Sequence, residues 1–225
     1  LYDPEHLLLR WHVRTAEPFQ ARPLGAPERI FTHDRRADTV SFYIQGDANA
    51  PATGPAEGRP GDVRIVLGLF RAADGETKPV AVGMHPTWPG PAPNPQVYRT
   101  IVGKASYAHI GPVAGAELGH AVDDDGKGFV LVASLPRSAF PAVARPFSGD
   151  VRTRVNFDTN LGGHDRIWWA NADGSANSET YDEPSEARFY PGSWAPAIFR
   201  GLGEGAPARY WMIVGPFGGP EARTF

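Results

Sequence analysis

The chain of 225 residues contains no cysteine. That excludes disulfides, thiolate zinc sites and a cysteine nucleophile, and leaves the redox compartment open. It also lacks an excess of either charge. A net charge of −3 and a pI near 6.2 give no electrostatic footprint for nucleic acid or an anionic membrane. No apolar run approaches the roughly 20 residues that a membrane-spanning helix requires. Long 3.6-residue periodicity is missing too. One helical turn is expected after Leu135-Pro136, cut short by Pro141 and Pro146. The Gly-x-Ser-x-Gly elbow, the phosphate loop and the His-Glu-x-x-His pattern are all absent, so serine acyl transfer, nucleotide cleavage and zinc hydrolysis find no motif.

What is present is period-two alternation. Leu7, Leu9, Trp11 and Val13 share one face of a first strand, and Val40, Phe42 and Ile44 one face of a second. Val63, Ile65, Leu67 and Leu69 follow, then Val80, Val82 and Met84, then Val151, Thr153, Val155 and Phe157. Residues 116–122 and 129–135 flank Asp123-Asp124-Asp125-Gly126-Lys127-Gly128, a hairpin tip in which glycine supplies positive φ. The 26 glycines and 23 prolines are spread between alternating segments, so they read as turns, and residues 51–60 and 86–95 as surface loops. The pattern predicts an all-β chain, an antiparallel β-sandwich of immunoglobulin or jelly-roll kind with little helix. The sandwich is expected over residues 1–200. Residues 201–225 read as a linker and the start of a following segment, and both ends as cuts from a longer, exported polypeptide.

The richest segment is Asp165-Arg166-Ile167-Trp168-Trp169-Ala170-Asn171, followed by Pro191-Gly192-Ser193-Trp194. A sugar presents an apolar C–H face and a rim of hydroxyls, which an aromatic plane beside amide and charged groups suits. Adjacent strand residues point to opposite faces, so Trp168 and Trp169 cannot both enter one core. The candidate ligand-binding residues are Trp168, Trp169, Asn171, Trp194 and Arg154, which shares a strand face with Arg152 and Asn156. The competing expectation is that the tryptophans plug the end of the sandwich. For a metal, the Gly-rich stretch 158–165 offers Asp158, Asn160 and Asp165 to calcium, without the ordered spacing of an EF-hand.

The order of these signatures resembles the family 9 carbohydrate-binding modules and the wider DOMON-like sandwiches. The resemblance runs from Tyr2-Asp3 and Leu7-Leu8-Leu9-Arg10-Trp11-His12-Val13, through Asp38-Thr39-Val40-Ser41-Phe42-Tyr43-Ile44 and Gly61-Asp62-Val63-Arg64, to Trp169-Ala170-Asn171, Glu186-Ala187 and Pro191-Gly192-Ser193-Trp194. The chain departs from it at Ser41, where those modules carry glutamate, and lacks the tryptophan that precedes it. The resemblance implies a non-catalytic module that binds a glycan or neighbouring domains of the same polypeptide, outside the cell or in the periplasm. It also implies structural calcium. From the DOMON side it implies haem b, for which Met84, His85, Lys104 and His109 are the nearest ligands. A ligand-free structural sandwich is the remaining alternative.

Overall fold

A computed structural model describes residues 2–14, 18–19, 21–23, 38–47, 58–101, 103–144, 149–161, 165–171 and 188–200. Among these the chain forms thirteen strands. They are β1 (His6–Arg14), β2 (Arg22–Pro23), β3 (Thr39–Ile44), β4 (Val63–Arg71), β5 (Thr77–His85), β6 (Gln96–Thr100) and β7 (Gly103–Tyr107). Then follow β8 (His109–Pro112), β9 (Glu117–Val122), β10 (Gly128–Pro136), β11 (Val151–Leu161), β12 (Asp165–Trp168) and β13 (Ala195–Phe199). The helical turn expected after Pro136 is present as two short 3₁₀ turns, Arg137–Ala139 and Pro141–Val143. The segment 201–225 lies outside the described residues.

The fold is an antiparallel β-sandwich. One sheet has three strands in the order β1-β10-β9; the other has eight, along the path β12-β11-β3-β4-β5-β8, with β13 beside β11 and β2 beside β4. The alternating sets read from the sequence meet between them, except Val80, Val82 and Met84, which face the other way. Leu7 and Val13 of β1 and Phe129, Leu131, Ala133 and Leu135 of β10 pack against Val40, Phe42 and Ile44 of β3 and Val63, Ile65, Leu67 and Leu69 of β4. Phe42 anchors this first core between Phe140 and Phe157, with ring centroids 5.7 and 5.1 Å away. Burying such side chains is the main favourable term in folding, about 1.5–3 kcal/mol each.

The sequence pattern leaves the other face of the eight-stranded sheet to solvent. The structure covers it. Every residue of β3, and all of β4 except Arg71, is buried. A second core of Tyr43, Val66, Phe70, Val82 and Met84 is roofed by Tyr98 of β6, Ala105 and Tyr107 of β7, and Phe189 and Trp194. The β6–β7 hairpin was not legible because Val97 and Ile101 are exposed while tyrosines supply its buried side.

The expected hairpin tip joins β9 and β10. Gly126 takes φ 70°, its N–H bonds Asp123 O at 2.8 Å, and Asp123 N–H bonds Gly128 O at 2.9 Å. The aspartates there are held by side chains of β1: Arg14 reaches Asp123 at 2.8 Å and Asp125 at 2.6 Å, and His12 reaches Asp123 at 3.0 Å.

Between β3 and β4 the backbone makes a close approach. A Cβ on Gly46 would lie 2.2 Å from the carbonyl carbon of Gly61, so no larger residue fits. Asp62 pins this contact, accepting the N–H of Gly46 at 3.0 Å and of Arg59 at 2.8 Å. Burial lifts the Asp62 carboxyl above its ordinary value of 3.8, against those backbone donors. A folded-state value above the unfolded one means that the unfolded chain gives up this proton first. The carboxyl's contribution to stability is therefore fullest at low pH and declines as pH rises through that window. We expect the stability of the native protein relative to Asp62→Asn to fall, in urea denaturation, as pH rises from about 3.8 through the raised folded-state value. A difference that grows with pH would show that the backbone donors outweigh burial.

Candidate functional site

The alternation that sends Phe42, Ile65 and Phe157 into the first core sends Tyr43, Arg64, Asn156 and Asp158 to the opposite face. Register aligns them in rows across the sheet. Asn156 lies opposite Tyr43, Tyr43 opposite Arg64 and Arg64 opposite Met84; one row along, Trp168, Asp158, Ser41, Val66 and Val82 are successive partners. This is a polar cluster inside an otherwise apolar layer, and every charge in it needs a partner.

The partners are present. The Tyr43 hydroxyl donates to Asp158 Oδ2 at 2.5 Å, and Arg64 Nη2 stands 3.5 Å from the same oxygen. Arg64 also donates to Ser41 Oγ through Nε at 3.3 Å and Nη2 at 3.2 Å, while its guanidinium lies 4.9 Å from the centre of the Tyr43 ring. Burial pushes the Tyr43 phenol well above its ordinary range, so it stays a donor. Asp158 Oδ1 is buried without a hydrogen-bond partner. The network holds one carboxylate. The paired carboxylates of glycoside hydrolysis are not assembled in it.

An aromatic shell closes over the cluster. Trp168, Trp194 and Phe189 surround Tyr43 with ring centroids at 5.6, 5.6 and 5.9 Å. The shell is shaped by the turn Pro191–Ser193, entered through Tyr190 at φ 49°, a left-handed conformation unusual for a residue with a side chain. Ser193 stabilises it by bonding Tyr190 O through both N–H and Oγ, at 2.9 and 2.8 Å. Trp194 is wholly buried and its indole N–H bonds Phe189 O at 2.9 Å.

The residues named from sequence divide as follows. Trp168 and Trp169 do face opposite ways: Trp168 onto the second core, Trp169 onto the first, where it meets Phe157 edge-on at 5.7 Å. Both are half-buried, because each face of this sheet has a core of its own. Trp194 offers no surface to a ligand. Arg154 is engaged with Trp194 O at 2.8 Å, and Asn171 is half-buried beyond Trp169. Asp158 and Asn160 are buried strand residues of β11 rather than loop residues, and Asp158 is committed to Tyr43 and Arg64. Asp165 opens β12 opposite Leu161, and residues 162–164 between them lie outside the described residues. No group of three histidine, aspartate or glutamate side chains suited to a metal ion forms among the described residues. Of the residues considered for haem b, Met84 faces the second core, whereas His85 turns to the other side of β5, so the two do not converge.

Sequence reading missed Tyr43, Arg64 and Asn156. Asn156 works as a piece of backbone. Its Oδ1 accepts the Ala170 N–H and its Nδ2 donates to Ala170 O, both at 3.0 Å, bridging the gap between β12 and β13 along the edge of β11. The one available signal was unplaced aromatic bulk: Tyr98, Tyr107, Phe189 and Trp194 need a second apolar surface. The chain matches no protein-family model, no curated protein and no solved structure.

Removing the Tyr43 hydroxyl leaves the ring packing intact and takes a buried donor from Asp158. Tyr43→Phe is expected to cost about 1.5–3 kcal/mol, the range for hydrogen bonds to charged groups. It should lower the urea midpoint at constant m. A loss under about 0.5 kcal/mol would mean that Arg64 alone neutralises Asp158.

Proposed function

We propose that the chain is a non-catalytic carbohydrate-binding or adhesion module of a larger exported protein, acting outside the cell or in the periplasm. The observation that carries this reading is Trp168. It is half-buried at the strand that ends the eight-stranded path, and its ring is fixed by Tyr43 at 5.6 Å and Tyr190 at 6.2 Å, with the Arg166 guanidinium 5.8 Å from its centre. A rigid aromatic plane with a cation beside it suits the C–H face and hydroxyls of a sugar. The sequence resemblance to family 9 modules points the same way, and Trp168 rather than Trp169 is the stacking residue on this reading. The groups deeper in the cluster position that ring and do not reach the ligand.

One stacked ring contributes about 1–3 kcal/mol, by analogy with bases stacked on aromatics. A site built on one such ring is therefore weak, with Kd of order 0.1–1 mM. The burial of Trp194 and the internal engagement of Arg154 and Asn156 favour a second reading, a structural sandwich that packs against neighbouring domains. Glycan-array retention and affinity electrophoresis separate the two. Trp168→Ala should lose glycan retention, and Trp169→Phe should keep it. Unchanged retention in Trp168→Ala, or none in the native protein, would leave the structural module.

A further inference from the structure

At the other edge of the eight-stranded sheet, His85 ends β5 and His109 begins β8, directly opposite each other in register. Their rings lie 29° from parallel with centroids 5.8 Å apart. Trp88 packs on both, 5.1 Å from His85 and 4.6 Å from His109, and is 39 % exposed. This cluster is separate from the Tyr43–Asp158 network and independent of the glycan reading.

The next pair on the same face of the ladder, beyond Met84 and Ile110, is Gly83 and Gly111. A Cβ on Gly83 would lie 3.1 Å from His85 Nε2, and one on Gly111 would lie 3.0 Å from His109 Nε2. Each imidazole is thus folded back along its strand, and both Nε2 atoms come to rest over one glycine pair. Cβ atoms of directly opposed residues stand only about 4.5–5.5 Å apart, so the two nitrogens are brought toward one spot. His109 Nδ1 is buried without a hydrogen-bond partner.

We propose that His85 and His109 form a two-imidazole site for a borderline transition-metal ion, Cu(II) before Ni(II) or Zn(II), with Trp88 as its aromatic wall. Imidazole is a preferred ligand for these ions, and Cu(II) leads the affinity order. Metal–nitrogen bonds of about 2.0–2.1 Å put two imidazoles on one ion with centroids about 5 Å apart; the observed rings stand 5.8 Å apart in a near-parallel stack, so each has to turn about its side-chain bonds to aim Nε2 at the ion. Water fills the remaining positions from the Trp88 side. Burial pushes His85 down to about 4, with the neighbouring His109 adding to the effect, and burial lowers His109 as well. Both rings are consequently in the neutral, ligand-competent form at neutral pH.

The test is titration of the intact chain with Cu(II), followed by tryptophan fluorescence and by electron paramagnetic resonance. The expected result is saturable one-to-one quenching, largely removed in Trp88→Phe, with hyperfine structure from two imidazole nitrogens. His85→Asn and His109→Asn should each weaken binding by more than about ten-fold, since losing a ligand costs at least as much as losing a ligand's own hydrogen-bond partner. Gly111→Ala keeps both ligands but displaces a ring, and should also weaken binding. Absence of saturable binding, a spectrum without two imidazole nitrogens, or native affinity in either histidine variant would overturn the site.

Discussion

A carboxyl group buried in an apolar layer needs hydrogen-bond donors, and the second face of this sandwich is organised around that constraint at Asp158. Tyr43 and Arg64 supply the donors, each from a different strand of the same sheet. Satisfying the charge fixes the register of β11 on β3 and of β3 on β4, since a shift of one residue would send Tyr43 and Asp158 to opposite faces. It also fixes the roof. Tyr43 is the ring on which Trp168, Phe189 and Trp194 converge, so the half-buried tryptophan owes its orientation to the same carboxylate. Buried ion pairs are poor sources of net stability, and their best-attested use is to specify one arrangement over its competitors. Here register and an aromatic surface are specified together.

The first core was legible in the sequence because it obeys the simplest rule of strands. Val40, Phe42, Ile44, Val63, Ile65, Leu67 and Leu69 alternate with little interruption, and all are buried between the two sheets. The second core was not, because its inward positions are filled by Ser41, Tyr43, Arg64, Asn156 and Asp158, which period-two reading assigns to solvent. Their burial depends on contacts distant in sequence: Tyr43 with Asp158, Arg64 with Ser41, Asn156 with Ala170. The separation of Trp168 from Trp169 was legible, following from strand geometry alone. That neither is fully exposed was not, because it depends on the β6–β7 roof and the turn at Pro191–Ser193.

The sheet also separates the two sites proposed here. Trp168 lies on β12 and the histidine pair on β5 and β8, at opposite ends of the strand path and on opposite faces of the sheet. Five inter-strand spacings of about 4.8 Å put the two edges about 24 Å apart, well beyond the distance at which substitutions ordinarily interact. A metal at one edge therefore has no direct contact with a glycan at the other. Coupling would require the sheet between them to have two arrangements, and its middle strands are buried on both faces and pinned by the Asp158 network. The architecture favours independent sites at two edges of a rigid slab, each shaped by what the buried strands between them hold still.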